Sequence, residues 1–189
     1  GENIAVWWPG ETSKVWQGLP MGRPIRPIVD DIPYLAGRMT AASDVIGELT
    51  TWTANLSFGD STQTGRVTGA HWRYGEIRHH FPQAGGRFIN PDDERAKRRV
   101  IFLGNAVAER IFGARDPVGE TMLVDSVPYL VVGVMQPKLQ MGTYKGSDED
   151  GTIIPITTFV AQYGRQQVNN VVFKARSPEL MPLARQQFA

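Results

Sequence analysis

The sequence predicts an α+β fold with mixed sheets, and three observations support that prediction. Segments with the period-two pattern of strands alternate with short segments that have helical spacing. Glycine, proline and aspartate separate these segments and mark turns. The length of 189 residues suits one domain, or one domain that carries an inserted lobe, and a hydrophobic fraction of 41% with 21% charged residues is typical of a globular protein.

The N-terminal part is predicted to begin with an extended lead-in. Residues 1–27 are rich in Gly, Pro and Trp, and only residues 3–8 have the pattern of a short strand. A helix is expected over about 30–39, where Asp30 or Asp31 could cap its N-terminus. Pro33 is compatible with a helix only in the first turn, which agrees with that start.

A hairpin is predicted next. In the first strand, about 44–58, alternation places Trp52, Ala54, Leu56 and Phe58 on one buried face. Residues 59–61 read Gly-Asp-Ser, which is typical of a turn, and the returning strand is expected over 62–72. A short helix over about 74–81 should follow.

The middle of the chain predicts a compact series of elements after a boundary at 82–91. A polar stretch over 92–98 leads to an apolar strand over 99–104, and then to a helix that Asn105 caps and Gly113 ends. The apolar face of this helix would carry Val107, Ala108, Ile111 and Phe112. A turn at 116–119 then leads into two strands, 120–124 and 129–135, joined through Asp125 and Ser126.

The C-terminal part is predicted to start with a polar, mobile loop over 136–151. Strands over 152–156 and 170–175 and helices over 158–163 and from Pro178 onward complete the chain. The sequence contains no internal repeat and no low-complexity segment.

Charge and composition exclude several classes of function. The net charge is +1 and the chain has no cysteine, which excludes disulfides, thiolate metal sites and cysteine nucleophiles. The basic run Arg95–Arg99 is the best nucleic-acid candidate, but Asp92, Asp93 and Glu94 offset much of its charge, and a solvated helix end is the preferred interpretation. No apolar stretch reaches the roughly 18–20 residues of a membrane span. The chain also lacks an initiator Met and a signal peptide, so we expect a piece of a longer protein.

The residues that carry chemistry elsewhere do not form a convincing site here. His79 and His80 would point about 100° apart on a helix, so they could not both join His71 at one metal. The acidic runs 92–94 and 148–150 lack calcium-loop spacing. Residues 113–121 have Glu120 where a phosphate-binding loop needs lysine. Asn55-Leu56-Ser57 matches a glycosylation acceptor, a motif frequent by chance. We therefore predict no catalytic, cofactor-binding or metal-binding residues, and no enzyme activity.

A series of motifs over residues 67–135 is more specific. The chain contains Val67-Thr68-Gly69, then Gly86-Arg87-Phe88 with Asp92 or Asp93 beyond, then residues 99–104, 108–113, 116–121 and 129–134 in order. This series resembles the periplasmic core domain of MacB-like ABC permeases (MacB/FtsX type). That family has V-x-G, G-R-x-F-x-x-x-D, V-x-x-L-G, L-F-G-x-x-D-P-V-G-K and F-x-V-V-G-V in the same order. Departures are Phe102, Ile111 and Glu120, and residues 1–24 match weakly.

The resemblance implies a division of the fold. A porter-like subdomain would comprise residues 25–80 and 151–189, and a mainly-β, sabre-like subdomain would be inserted at 81–150. Residues 1–24 remain an unassigned lead-in. The motif glycines are expected at turns and at close backbone approaches.

The resemblance also implies a function and a set of partners. The chain would be the periplasmic or extracellular domain of an inner-membrane permease, and it would transmit ATP-driven movement to an export or envelope partner. The expected partners are its own flanking transmembrane helices, a second permease protomer, a cytoplasmic ATP-binding subunit or domain, and a periplasmic adaptor (membrane fusion) protein, with no nucleic acid. The alternative is a stand-alone extracytoplasmic module that binds a ligand or peptide in a cleft, which the five tryptophans could line.

Overall fold

The fold is taken from a computed structural model that describes residues 3–8, 27–138 and 146–188. It has eight strands in the described part: β1 Ile4–Trp7, β2 Ala42–Phe58, β3 Ser61–Ala70, β4 Val100–Leu103, β5 Thr121–Val124, β6 Val127–Val134, β7 Gly151–Pro155 and β8 Asn170–Ala175. The α-helices are α1 Ile32–Arg38, α2 Tyr74–Ile77, α3 Pro91–Arg95, α4 Asn105–Phe112, α5 Ile156–Tyr163 and α6 Met181–Phe188. Short 3-10 helices lie at Val29–Asp31, Asp148–Asp150 and Pro178–Leu180.

The chain divides into two compact units. Unit 1 comprises Gly1–Leu49 with Arg165–Ala189, and unit 2 comprises Thr50–Gly164. The first half of β2 belongs to unit 1 and its second half to unit 2. These boundaries differ from those of the porter-like and sabre-like subdomains, whose assignment stays a prediction.

Unit 1 contains an antiparallel sheet in the order β1-β8-β2. Its buried apolar residues include the consecutive positions Val171, Val172 and Phe173, so both faces of β8 are covered. The ring of Phe188 at the end of α6 stacks on Phe173 at 5.7 Å and packs at a tilt against Trp7 at 5.1 Å, which fixes α6 against the sheet. Glu48 is fully buried and its carboxylate accepts a hydrogen bond from the Asn170 side chain.

Unit 2 contains six strands whose hydrogen bonds close on themselves. The order is β2-β3-β7-β4-β6-β5, and β5 pairs back to β2 through Leu56 with Val124 and Ser57 with Leu123. β3 and β7 are parallel, as are β4 and β6, whereas β4–β7, β5–β6 and β2–β5 are antiparallel. A mixed sheet with helices between the strands confirms the predicted fold class at this level.

Fully buried side chains fill the interior of unit 2. The largest are Tyr129, Phe102, Phe159, Leu56, Ile77, Ile101, Leu103, Met122, Met135 and Ile154. Four consecutive buried residues form β4, and the predicted apolar face of α4 is buried as expected. Each of these six strands has a hydrogen-bonded neighbour on both sides, so hydrogen-bonded backbone encloses the core of the unit.

Two tight turns connect the hairpins of this unit. Gly59, with φ 56°, and Asp60 join β2 to β3. Asp125 and Ser126 join β5 to β6, and both have positive φ, 48° and 68°, although neither is glycine. Positive φ at both central positions is the geometry whose twist matches a hairpin.

Three details of the sequence prediction were wrong. Trp52 was expected on the buried face of β2, but it is 50% exposed and the Arg66 guanidinium lies 5.9 Å from its ring. α2 ends at Ile77 instead of about Phe81, because His79 takes a left-handed conformation with φ 57°. Gly104 occupies the N-cap of α4, so Asn105 is its first helical residue and does not cap it.

The other predicted elements are confirmed within one to three residues. Residues 9–26 of the lead-in and 139–145 of the predicted loop lie outside the described residues, whereas the strand at 3–8 is present as β1. Asp31 precedes α1, and its carboxylate accepts a hydrogen bond from the Ile28 backbone instead of capping α1. Among the described residues, no helix is long and apolar enough to span a membrane.

Candidate functional site

Two of the motif glycines contact each other in unit 2. A Cβ added at Gly86 would lie 2.9 Å from the Gly133 Cα, and one added at Gly133 would overlap the Arg87 carbonyl oxygen. The Arg87 amide donates a hydrogen bond to the Val132 carbonyl at 2.8 Å. The segment around residue 86 therefore lies directly against β6, and side chains at these two positions would separate them.

The arginine of the same motif forms an ion pair with a buried aspartate. Arg87 donates two hydrogen bonds to Asp93, the shorter at 2.6 Å, and Arg98 adds a third at 3.3 Å. Asp93 is fully buried and exchanges backbone-to-side-chain hydrogen bonds with Asn90, which form the capping box of α3. Burial alone would raise the pKa of Asp93, but the Arg87 hydrogen bonds and the other donors hold it below its usual value.

The motif at 116–119 forms the expected turn beside this contact. The Asp116 carboxylate accepts a hydrogen bond from the Val118 amide at 3.0 Å, and Gly119 has φ 91°. A Cγ of Val118 would be 3.4 Å from a Cβ at Gly86. Motif residues that are far apart in the sequence thus form one structural cluster.

A further motif glycine provides space for an acidic segment. A Cβ at Gly104 would overlap the Glu149 carbonyl oxygen and would lie 2.6 Å from that of Asp148. The Gly104 amide donates to the Gly151 carbonyl at 2.8 Å. The backbone of the 3-10 helix 148–150 therefore packs directly on the junction between β4 and α4.

A cluster of charged side chains fixes the same segment. We define the Asp148 cluster as the four residues Arg78, His80, Lys138 and Asp148. The Lys138 ammonium lies 2.8 Å from the Asp148 carboxylate and donates to the Arg78 carbonyl at 2.6 Å, and the Arg78 guanidinium is 3.9 Å from the same carboxylate. Burial would raise the pKa of Asp148, but the neighbouring bases, led by His80 and Lys138, hold it below its usual value.

His80 is the most unusual titratable group of this cluster. It is only 4% exposed, and its ring packs against those of Tyr74 at 5.0 Å and of Phe88 and Phe102 at 6.3 Å. Burial lowers the pKa of His80 to about 4, and Lys138 and Arg78 contribute, although Asp148 opposes the shift. The imidazole is therefore neutral near pH 7.

A small cleft opens beside the Asp148 cluster. Its walls include cluster residues and Arg66, Tyr74 and Phe102. The enclosed space accommodates about one water molecule. A drug-sized ligand would need a cavity of roughly 300 Å³ or more, so this cleft in its described form is not a small-molecule site.

The three histidines of the sequence have different surroundings. His80 is buried as described, whereas His79 is exposed and its ring meets that of Phe81 at 5.6 Å. His71 faces Glu94, with 3.7 Å between the imidazole nitrogen and the carboxylate. Burial raises the pKa of Glu94, partly offset by a hydrogen bond from the Trp72 amide. Within residues 3–8, 27–138 and 146–188, no group of three or more His, Cys, Asp or Glu is arranged to hold a metal.

The other candidate segments have structural contacts of their own. Asp92 pairs with Arg95 at 2.6 Å on the surface, and Asp150 pairs with Arg110 at 2.7 Å. In the basic run 95–99, Arg95 pairs with Asp92 and Arg98 pairs with Asp93. Two of the four cations of this run therefore form ion pairs with the acidic residues before it. The side chain of Asn55, in the glycosylation-like motif, accepts a hydrogen bond from Thr62.

Sequence reasoning missed a polar network at the turn between β5 and β6. The Asp125 carboxylate accepts hydrogen bonds from the Asn55 amide at 2.8 Å and from the Tyr163 hydroxyl at 2.7 Å. Burial and Asp125 raise the pKa of Tyr163, and burial raises that of Tyr129 to about 12. The Tyr129 hydroxyl donates to Gln162. The only signal in the sequence was an aspartate at a hairpin turn, and nothing indicated partners 38 and 70 residues away.

Comparison with known proteins identifies the family. Residues 2–189 match the family described as MacB-like periplasmic core domain. A macrolide export ATP-binding/permease protein MacB from Azoarcus sp. (strain BH72) is 31% identical over 69% of this chain. The pyoverdine export ATP-binding/permease protein PvdT from Pseudomonas syringae pv. tomato is 31% identical over 65% of it. The chain covers only 19% of the length of each of these two relatives.

Solved structures have the same fold. The periplasmic region of MacB from Actinobacillus actinomycetemcomitans matches with a TM-score of 0.77 at 18% identity, over 98% of this chain and 80% of that one. The extracellular domain of the ABC-type transporter YknZ from Gram-positive bacteria matches with a TM-score of 0.76 at 16% identity, over 95% and 88%. The resemblance that the motif series indicated is confirmed. The chain belongs to the family of MacB-like periplasmic core domains.

Proposed function

We propose that this chain is the extracytoplasmic domain of an ABC-transporter permease and that it transmits ATP-driven conformational change across the inner membrane. The observation that carries the proposal is that the residues of the family motifs make packing contacts within the domain. Gly86, Gly104 and Gly133 permit close backbone contacts, and Arg87 binds a buried aspartate. These residues shape a stiff body, and none of the contacts described for them requires a ligand.

A stiff body is the physical requirement for transmitting displacement. In unit 2 the ring of six strands has paired edges, and a residue shift in one strand would break hydrogen bonds in its neighbours. The close-packed interior also resists deformation. A movement applied at one end of this unit would therefore reach the other end with little loss.

The partners follow from the same proposal. The domain would act with its own flanking transmembrane helices, a second permease protomer, an ATP-binding subunit or domain in the cytoplasm, and a periplasmic adaptor protein. Two of its relatives are named for the export of macrolides and of pyoverdine. For this chain we propose export or envelope remodelling as the general class of work, with a porter-like part at 25–80 and 151–189 and a sabre-like part at 81–150.

This chain contains no cysteine, which makes a direct test practical. In a full-length permease whose other cysteines, where present, are replaced by serine, Asp60→Cys would carry a spin label at the exposed turn between β2 and β3. Double electron–electron resonance in lipid nanodiscs would measure the distance between the labels of two protomers. We expect this distance to change by several ångström between the nucleotide-free and ATP-bound states.

The control is the same labelled permease with an ATP-binding partner that cannot bind nucleotide, for which the distance should not respond to ATP. An unchanged distance in the active protein would contradict transmission through this domain. If permease with one label per chain gave no distance between labels in either state, that result would contradict the proposal that the domain acts with a second protomer.

The stand-alone binding module is the alternative function. The small cleft beside the Asp148 cluster does not favour it, and Trp52, although exposed, is covered on one face by Arg66. A thermal-shift screen of this chain against macrolides, siderophores and short peptides would test the alternative. A saturable rise in melting temperature would support it.

A further inference from the structure

We propose that the Asp148 cluster is an acid-released latch, which holds residues 146–150 against the start of α4 and opens when His80 takes up a proton. The inference concerns this chain alone and does not depend on the proposed transport function.

The cluster joins three separate parts of unit 2. Arg78 and His80 follow α2, Lys138 follows β6, and Asp148 precedes β7. One ammonium group connects all three, because Lys138 contacts the Asp148 carboxylate at 2.8 Å and the Arg78 carbonyl at 2.6 Å. Loss of the Lys138 contacts would therefore weaken the attachment of Asp148 to the α2 end and leave it to the longer Arg78–Asp148 contact of 3.9 Å.

The hydrogen bonds of His80 indicate where a second proton would bind. Its Nδ1 lies 3.1 Å from the Arg78 carbonyl oxygen, which can only accept, so we assign the neutral tautomer with the hydrogen on Nδ1. The second proton would then add to Nε2. The ring is enclosed by Tyr74, Phe88 and Phe102, so an imidazolium there would lack the water that normally solvates it.

The charges around His80 would make this imidazolium still less stable. The titratable and charged groups that line its surroundings from α2, β3, β6 and the 3-10 helix are Tyr74, Arg78, Arg66, Lys138 and Asp148. Asp148 attracts a proton to His80, but Lys138 and Arg78 repel one, and burial adds to their effect. A protonated His80 would add a positive charge beside those of Lys138 and Arg78, which already face the Asp148 carboxylate.

The backbone provides a way to relieve this strain. His79, next to His80, is exposed and has φ 57°, a conformation that non-glycine residues adopt at a cost. If His80 left the aromatic pocket, its imidazolium would reach water and His79 could relax. The Arg78 carbonyl would move with them, and Lys138 would lose one of its acceptors.

The release should be local. The Ser147 carbonyl accepts a hydrogen bond from Arg66 at 2.8 Å, and Asp150 is paired with Arg110, and neither contact involves His80. These contacts keep the segment attached to unit 2, so we expect the opening to be confined to residues 146–150 and to the hydrogen bond of Gly104 with Gly151 at the first residue of β7, while the rest of the six-stranded ring stays paired.

Amide hydrogen exchange tests the latch directly. The reporters are the Gly104 amide, bonded to Gly151, and the Asp150 amide, bonded to Ser147; the reference is the Val131 amide of β6, bonded to Glu120. After correction for intrinsic pH dependence, we expect both reporters to exchange at least about tenfold faster at pH 4 than at pH 6.5. The reference should not change. Equal acceleration of the reference would mean global unfolding and would overturn the proposal.

His80→Gln and His79→Gln form the matched pair of variants. Glutamine cannot be protonated, so H80Q should lose the pH response of both reporters, whereas H79Q should keep it. A pH response that persists in H80Q would overturn the proposal. If H80Q does not fold, the imidazole resonances of the wild-type chain decide, because His80 must titrate at the same midpoint as the reporter exchange. Different midpoints would overturn the proposal as well.

Discussion

Single atoms decide how closely the segments of unit 2 approach each other, and Gly133 is the clearest case. A Cβ at this position would overlap the Arg87 carbonyl oxygen, which is backbone and cannot rotate away. We expect Gly133→Ala to lower the free energy of unfolding by about 3 kcal/mol. Urea denaturation followed by circular dichroism would measure the change.

The control for this substitution is Gly37→Ala in α1, where an added Cβ would meet nothing within 4 Å. Alanine is the better helix former, so G37A should leave stability unchanged or raise it by up to about 1 kcal/mol. If G133A were as stable as the wild type, the backbone contact with Arg87 could not be a constraint on the fold.

Asp92 and Asp93 are adjacent residues with different surroundings. Asp93 is fully buried between Arg87 and Arg98, whereas Asp92 forms a surface pair with Arg95. We expect Asp93→Asn to cost about 2 kcal/mol, since hydrogen bonds to a charged group are lost, and Asp92→Asn less than about 0.5 kcal/mol. Urea titrations of both variants measure these costs.

The pH dependence of these variants gives an independent check. The folded-state pKa of Asp93 lies below its ordinary value of 3.8, so its charge stabilises the fold above that pH and the contribution is lost as pH falls. The gap between wild type and D93N should therefore narrow below pH 3.8. A gap that stayed constant would mean that the charge of Asp93 is not the stabilising feature.

Among the elements, the β5–β6 hairpin has the strained turn. Ser126 has φ 68° at the position where such turns favour glycine. Ser126→Gly should raise the free energy of unfolding by about 0.5–1 kcal/mol, because the left-handed strain is relieved. Asp125 should be kept, since it bonds to Asn55 and Tyr163.

The matched control is Ser61→Gly at the first residue of β3, where no positive φ is required. Glycine there should lower stability slightly, since it adds flexibility to the unfolded chain. Thermal melts of both variants at one pH compare them. An S126G protein less stable than the wild type would show that the turn is not strained.

Most helices and strands could be predicted from the sequence because the signals for them are local. Alternation along β2, the apolar face of α4 and the turn residues at 116–119 all act over a few positions. Trp52 was misplaced because the pattern gives the face of a strand but not what covers it; its side chain is half exposed, with the Arg66 guanidinium over its ring. Beyond the early end of α2, His80 packs against Tyr74 of α2 and against Phe102, which lies 22 residues further along the chain, and no local pattern reveals the Phe102 contact.

For the whole molecule, sequence patterns could not predict contacts between residues that are far apart along the chain. The Asp148 cluster joins residues up to 70 positions apart, Arg78 and Asp148, and Gly86 meets Gly133 from 47 positions away. The motif series nevertheless identified the family, because several short motifs in a fixed order over about 70 residues are themselves a long-range signal. It also left open whether Asp92 or Asp93 is the aspartate of the motif, and the buried ion pair with Arg87 identifies Asp93.

The stability of the whole chain should depend on pH through His80. The pKa of His80 is about 4 in the folded state, against an ordinary value of 6.5 that we take for the unfolded chain. Below pH 6.5 the unfolded chain therefore binds more protons than the folded one. Stability should therefore fall as pH drops from 6.5 toward 4, by up to about 3 kcal/mol for a latch that stays closed. Local opening would give the folded state its own route to a solvated imidazolium and would reduce this loss.

Urea denaturation of the wild type and of H80Q between pH 7 and pH 4 measures this dependence. Other groups, including Glu94 with its raised pKa, titrate in both proteins, so the difference between the two curves reports His80 together with its effect on the pKa of Asp148. We expect the wild type to lose stability relative to H80Q over this range, whereas H79Q should follow the wild type. Parallel curves for wild type and H80Q would mean that burial of His80 imposes no penalty on its charged form, which the aromatic pocket of Tyr74, Phe88 and Phe102 makes hard to reconcile with the structure.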